Sequence, residues 1–433
     1  MNEKVQSGRD ATDRFLGKPF FYFLFVLIAV RANDLKKAEP ILYRWLGVES
    51  DLPILRLLLW ALCAVMIGFY LYRLARGRIR RNQPMILCLL ALHAVLAVMT
   101  LIYRGASGYW LHWATGLALM LALDMGLQRE RRSVLNGFAL ALSLWVYVNI
   151  PVRLLYPGGI NEPVPDVLFV PEWLIGNRVF YYRIAFPALA FEMMYAQFRR
   201  GHYTARTWIC LAAVTLTVAL QRGGTAMSGY AVMLAMLLLF NRRALPRWAN
   251  PAVMLGVSVA LFIALQYFHI QEHFAFLIEG GMGKDMTLSG RTIIWTEALK
   301  IIKNYPLTGV GLLPVEYQKE LFTGPYPHTH NQLLEILMHG GVVALIPYLA
   351  MIGLATRAAL KHRDVPAVKT AAILLMTFIF MGAVDIFHNE PIYYPLFMLL
   401  ADADRLEKGP KLPCLSLGGR LRSDARGQWK NVE

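Results

Sequence analysis

Apolar residues run along this chain in long, nearly uncharged blocks separated by short polar interruptions. Blocks of about 17–22 residues match the length a helix needs to cross the hydrocarbon core of a bilayer. The pattern predicts spans at roughly 15–30, 54–72, 85–103, 108–127, 134–150, 179–198, 206–221, 225–240, 251–268, 333–355, 369–386 and 391–403. The last is short and opens at Pro391, which a first helical turn tolerates. One segment interrupts the pattern, the polar run from about Gln266 to Asn331, which ends in PYPHTHNQLLEILMHGG. Within it Ile294, Trp295, Ala298, Leu299 and Ile302 recur at helical spacing, predicting an amphipathic helix lying on the membrane surface. Thr287 or Ser289 is its expected N-cap, Tyr305 and Pro306 end it, and Gly309 and Gly311 make the return.

Composition agrees with that pattern. The chain is 57% hydrophobic and only 17% charged, against about 25% charged in soluble domains. The expected fold class is an all-α integral membrane protein of about twelve transmembrane helices. Residues 1–404 then form one polytopic body with a long outer loop over 268–331, and 405–433 form a basic tail expected to be disordered. A charged segment precedes the first apolar block and no small-residue cleavage site follows it, so this block is read as a retained span. Cys63, Cys88 and Cys210 lie in apolar blocks and Cys414 in the tail, which implies no disulfide framework.

The net charge of +16 has a topological explanation. Arg73, Arg76, Arg78, Arg80 and Arg81 follow the second block, and Arg129, Arg131 and Arg132 the fourth. Arg199, Arg200 and Arg206 follow the sixth, Arg242, Arg243 and Arg247 the eighth, and Arg357, Lys361 and Arg363 the tenth. All of these, and the basic tail, fall on one side if the span count is even and both termini are cytoplasmic. A nucleic-acid partner is therefore not expected, although a basic balance often signals one.

The other side receives the loops that carry candidate chemistry. Arg222 sits at a membrane boundary in LQRGGTAMSGY, where an arginine is costly unless it meets water, a partner or an anion. It is read either as a snorkelling interfacial arginine or as an anion ligand, and Gly223 and Gly224 beside it permit close approach. Arg291 falls in the first turn of the amphipathic helix, where free backbone N–H groups already favour an anion; a plain surface charge is the alternative. His328 and His330 are two residues apart in HTHN, on one side of an extended chain. A metal site would need a third ligand that the neighbourhood does not offer, so no metal is expected. His339 is about half a turn out of phase with His330 and reads as a packing residue. Asp385, in DIFHNEP, is costly at the end of an apolar block unless paired. It is expected to orient His330, to neutralise Arg222, or to serve as a plain cap. Arg178 and Arg183 stand at the outer start of the sixth block, as substrate ligands or as interfacial anchors with Tyr181 and Tyr182. Two arginine forks suit diphosphate oxygens, and a histidine near neutral pH suits removing a hydroxyl proton. Together they point to displacement of a diphosphate by an alcohol at a membrane surface.

SGRTIIWTEALKIIKNYPLTGVG, followed by HTHNQLLEILMHGGVVA, resembles the signature region of the O-antigen ligase and polymerase superfamily. Its ligases carry a His-Asn pair and a later glycine, matched here by His330, Asn331 and Gly341; Ala344 replaces a commoner glycine. Arg222 and Arg291 match the two arginines of the pattern. The resemblance implies a membrane-embedded, GT-C-like glycosyltransferase without metal or cofactor. It would move a polysaccharide from undecaprenyl diphosphate to lipid A–core oligosaccharide at the periplasmic face of a Gram-negative inner membrane, with inversion. His330 would be the base, Arg222 and Arg291 the diphosphate clamps, and Arg178, Arg183, Asp385, Asn331 and His328 substrate contacts. Membrane lipids are the other expected partners, and a monomer is plausible. The nearest alternative is a polysaccharide polymerase, although the Arg-x10-Gly pattern described for polymerases meets Met233 after Arg222 and Ile302 after Arg291. A protein O-oligosaccharyltransferase differs only in acceptor. A lipid-linked sugar transporter would place its charges at mid-membrane, and a zinc hydrolase lacks ligands.

Overall fold

The structure, a computed structural model, describes residues 18–31, 53–77, 83–103, 109–161, 170–270, 290–313, 328–407, 421–423 and 429–431. The helices are α1 Pro19–Arg31, α2 Pro53–Ala75, α3 Pro84–Ile102, α4 Trp110–Arg129, α5 Arg131–Leu155, α6 Tyr182–Arg200 and α7 Ala205–Gln221. They continue as α8 Gly224–Leu239, α9 Pro251–Gln266, α10 Arg291–Asn304, α11 Gln332–Lys361, α12 Pro366–Met381, α13 Tyr393–Ala401 and α14 Ala403–Glu407. Each apolar block of the sequence is thus a helix, and α10 is the amphipathic one. The strands are short: β1 Glu172–Trp173 pairs with β2 Gly176–Asn177, and β3 Leu421–Ser423 with β4 Trp429–Asn431, both antiparallel. The β3–β4 ladder lies in the tail that was expected to be disordered.

Among the described residues, five helices are long and apolar enough to cross a membrane: α2 from Arg56, α3, α4, α5 and α11. Helices α1, α7, α8, α9 and α12 are shorter and also apolar. Leu57, Val65, Leu101, Ile209, Leu238 and Ile346 stand exposed on outward faces, an apolar belt suited to lipid. By contrast α6 and α13 are enclosed by their neighbours, with Phe186, Phe191, Phe397 and Leu400 fully buried. Being shielded by protein, α6 tolerates Glu192, which accepts from Arg206 at 2.7 Å.

Glycines bring several helices close. A Cβ at Gly137 of α5 would lie 2.4 Å from Tyr22 Cβ of α1, and one at Gly229 of α8 would lie 2.2 Å from Met381 Sδ of α12. At the basic end, Asp124 of α4 is fully buried and accepts from Tyr70 (3.0 Å), Gln83 (2.9 Å), Gln128 (2.8 Å) and Arg405 (3.3 Å). Arg405, assigned from the sequence to the tail, therefore belongs to the bundle. Lys369, at the start of α12, donates to the carbonyls of Phe240, Asn241 and Arg243 and so caps α8.

Helix α11 is broken at Gly341 (φ 59°, ψ −161°), a conformation open essentially to glycine alone. The chain leaving α10 threads into that break. Val342 and Val343 donate to the carbonyls of Pro306 (2.9 Å) and Leu307 (3.2 Å), while Val310 and Gly311 donate to those of Met338 (2.8 Å) and His339 (2.9 Å). The backbone groups released by the break are thus satisfied by the inserted segment. Gly309 and Gly311 both have positive φ, and a Cβ on either would meet backbone at 2.5 and 2.7 Å. They make the expected return, and it is a return into the bundle.

Candidate active site

The amino end of α11 organises the site. Asn331 is its N-cap, accepting from Leu333 and Leu334 N–H at 3.1 Å each, and its amide donates to Ala383 O at 2.9 Å. Asn331 was expected to contact substrate. Its side-chain oxygen caps α11 and its amide nitrogen ties that cap to the chain after α12, so in this structure it holds the helix entrance. Thr329 is fully buried. Its N–H donates to Glu335 Oε2 at 2.7 Å, its hydroxyl donates to Asn331 O at 2.9 Å, and its carbonyl accepts from Trp295 Nε1 at 2.9 Å. His330 lies between these two anchored residues at φ 53°, a conformation uncommon outside glycine. The backbone on both sides fixes where its imidazole stands. The His328 and His330 rings meet edge to face with centroids 3.9 Å apart.

Arg291 reaches this point from α10. Gly290 in the left-handed region (φ 81°) is the N-cap and Arg291 the first helical residue, buried to 8% exposure. The expected caps Thr287 and Ser289 lie outside the described residues. The buried face of α10 is Ile294, Trp295, Ala298 and Ile301, close to the predicted stripe. The Trp295 bond to Thr329 O then fastens the helix of Arg291 onto the loop of His330. Burial lowers the Arg291 guanidinium from its ordinary value, opposed by the nearby Asp385 carboxylate. Burial likewise pushes the His328 imidazole down to about 4, with Asp385 opposing and Arg183 and Arg291 reinforcing. Arg291, His328 and Asp385 therefore share one electrostatic neighbourhood, and His328 is neutral at pH 7.

Asp385 pairs with neither His330 nor Arg222, as the sequence had suggested. It accepts from Arg183 Nη2 at 3.1 Å, from the Ile386 N–H at 2.7 Å and from the Tyr182 hydroxyl. Arg183 also donates to Glu390 and stacks on the Phe180 ring at 4.3 Å. Held between two carboxylates, Arg183 is matched in charge and is neither an open anion ligand nor an interfacial anchor. The turn carrying Asp385 and Glu390 is held by Gln332 Oε1, which accepts from Phe387 and His388 N–H.

Arg222 ends α7 in the left-handed region (φ 49°), and its side chain is exposed. The next residue explains its neighbour: a Cβ at Gly223 would lie 2.0 Å from Arg178 O. This close approach brings two exposed arginines, Arg178 and Arg222, to one place. Four and five residues on from Arg178 the start of α6 brings Tyr182 and Arg183 to Asp385, so this stretch joins the exposed arginines to the buried cluster.

His339 is buried and faces Glu335 at 3.8 Å and His388 at a ring separation of 6.1 Å, as a packing residue would. Among the described residues, metal-ligating side chains converge at His362, Asp404 and Glu407, at the far end of α11. There both imidazole nitrogens already face carboxylates, at 2.8 and 3.1 Å. The site contacts of Thr329, Trp295, Glu335, Gln332 and Glu390 were not read from the sequence, although Trp295 stood in the predicted stripe and Glu390 in the quoted DIFHNEP. Thr329 stood within the quoted HTHN motif, and Glu335 lies four residues after the N-cap Asn331.

Residues 208–349, less than half of the chain, match the family model described as O-antigen ligase. This region contains Arg222, Arg291, His328, His330 and Asn331, and excludes Arg178, Arg183 and Asp385. The chain is also 35% identical over 81 residues to the exopolysaccharide production protein ExoQ of Rhizobium meliloti (strain 1021). That alignment covers 16% of this chain and 19% of the relative, so the chain matches less than a fifth of the length of that protein.

Proposed function

Taking the chain as a member of the O-antigen ligase and polymerase superfamily, we propose that it is an O-antigen ligase. It moves a polysaccharide from undecaprenyl diphosphate to a sugar hydroxyl of lipid A–core oligosaccharide, without metal or cofactor. In this reading all twelve apolar blocks cross a Gram-negative inner membrane, both termini are cytoplasmic, and the site faces the periplasm. His330 takes the proton of the acceptor hydroxyl as its oxygen bonds to the anomeric carbon. The bond from that carbon to the diphosphate breaks, its electron pair leaves on the diphosphate, and the anomeric centre inverts. Arg291 and Arg222 stabilise the charge that develops on the leaving group. Arg291 does so from the first turn of a helix, where the backbone adds to its field. Arg178, beside Arg222, extends the same anion-binding surface.

The observation that carries this reading is the union of α10 and α11. One hydrogen bond, Trp295 to Thr329, holds the helix of Arg291 against the loop of His330. A second reading, a polysaccharide polymerase, draws on the similarity over 81 residues to a protein of exopolysaccharide production. The two are separated by deleting the gene and analysing lipopolysaccharide. A ligase predicts an intact core without polymer and accumulated lipid-linked polymer, whereas a polymerase predicts a core bearing one repeat unit. Complementation with His330→Ala at normal protein level is expected to restore nothing; full restoration would remove His330 from the mechanism.

A further inference from the structure

A cavity of about 150 Å³ lies at the site end of the bundle, between α1, α2, α4 and α6, against the turn at 390–392. Its polar lining is His112, Thr115, Arg183 and Glu390, and Leu59 and Ile392 belong to its apolar lining. Arg222, Arg291, His328 and His330 do not line it. It is nevertheless joined to them through one side chain. Arg183 turns one nitrogen to Glu390 at the cavity and another to Asp385, which lies in the field of Arg291 and His328.

We propose that this cavity is a subsite for one neutral, hydroxyl-bearing sugar ring of the acceptor glycan. The inference rests on the glycosyltransferase reading given above. Charge selects the ligand class. Two carboxylates share one guanidinium here, so a diphosphate entering the cavity would meet Glu390 without an unmatched cation. Sugar hydroxyls instead can donate to Glu390 and accept from Arg183, the charge-assisted bonds that such groups form best. The diphosphate-bearing donor belongs to the other side, with Arg291 and the exposed Arg222 and Arg178.

The walls of the cavity are fixed before any ligand enters. His112 Nδ1 donates to Asn389 O at 3.1 Å, which sets the tautomer of the ring at the cavity wall. Asn389 Oδ1 accepts from Trp113 at 3.1 Å, so the turn bearing Glu390 is tied twice to α4. Phe180, whose ring carries Arg183 at 4.3 Å, also borders the cavity and adds apolar surface for ring C–H groups. Pockets that enclose a whole drug-sized ligand measure about 300–1,000 Å³. The smaller volume here fits a single ring of a longer glycan.

The test uses the full-length protein in lipid nanodiscs, with lipid-linked glycan and acceptor glycolipid extracted from the host. His112→Ala, Glu390→Gln and the cavity-filling Ala29→Leu are compared with wild type in separate titrations of donor and acceptor. The acceptor KM is expected to rise about tenfold in each variant, while the donor KM and the kcat at saturating acceptor stay within about twofold. A raised donor KM, or an unchanged acceptor KM in all three variants, overturns the subsite. Saturation-transfer NMR with delipidated acceptor oligosaccharide reads binding without catalysis, and its signal is expected to weaken in Ala29→Leu. Comparable thermal unfolding of the variants excludes a folding defect. If wild type transfers nothing between the two extracts and the oligosaccharide does not bind, the glycosyltransferase reading falls, and the subsite with it.

Discussion

Arg183 lies between two carboxylates, whereas Arg291 stands at a buried helix start in the field of Asp385 and beside the field of His328. A guanidinium already flanked by carboxylates gains little from a diphosphate. One in the first turn of a helix, where backbone N–H groups add to its field, gains more. Arg291→Ala is therefore expected to lower transfer by about 10²–10³, measured as kcat in nanodiscs, with Arg291→Lys recovering only part because it lacks the bidentate fork. The buried imidazole of His328 gives a second expectation. Its folded value near 4 lies below the ordinary 6.5, so between these values the unfolded chain binds more protons. Stability then rises with pH across that window and is lost as pH falls through it. His388, also pushed down by burial, acts in the same direction. The melting temperature of wild type relative to that of His328→Gln is therefore expected to fall as pH drops from 6.5 to 4. At this scale the sequence exposed Arg222, Arg291 and His330, because charged groups between apolar blocks demand an explanation. It hid the Arg183–Asp385–Glu390 group, whose members lie some two hundred residues apart. Pairing partners at that separation are set by packing, which periodicity does not report.

Among the elements, α10 was legible from its stripe of Ile294, Trp295 and Ala298, and α11 from its apolar run. The break in α11 was not legible, because Gly340-Gly341 in an apolar run reads equally as close helix packing. A Cβ at Gly341 would lie 2.2 Å from Leu307 backbone. Gly341→Ala is expected to cost about 3 kcal/mol or more from backbone strain and this clash, read by thermal unfolding in detergent. The loop of His330 depends on Glu335 through Thr329 N–H. Glu335→Gln keeps an acceptor oxygen there and Glu335→Ala does not. Transfer is expected to survive substantially in the first and to fall about tenfold or more in the second, without a change in donor KM. Equal loss in both variants would show that the carboxylate has another role.

The arrangement of the molecule as a whole follows from where its charges sit. Arg129, Arg243 and Arg405 share the end held by Asp124 and Lys369, and Arg178 and Arg222 mark the end with Asp385 and His330. In a background without the native cysteines, Arg222→Cys is expected to react with an impermeant maleimide in cells with a permeabilised outer membrane. Arg243→Cys should react only after lysis. The reverse pattern would invert the topology. Helices α6 and α13 show why an apolar block buried in the bundle need not look membrane-crossing on its own. Enclosed by protein, they are excused from the length and uniform apolarity that lipid imposes. The threaded segment at Gly341 carries a further consequence. Its four backbone bonds run in both directions between the chain after α10 and the two halves of α11, so neither can open alone. The amides of Val310, Gly311, Val342 and Val343 should exchange with deuterium at one common slow rate, as a single cooperative unit. Under the proposed reaction, the lipid-borne donor is expected to reach His330 from the flank where Arg222 stands exposed, because the backbone bonds between α10 and α11 close the other flank.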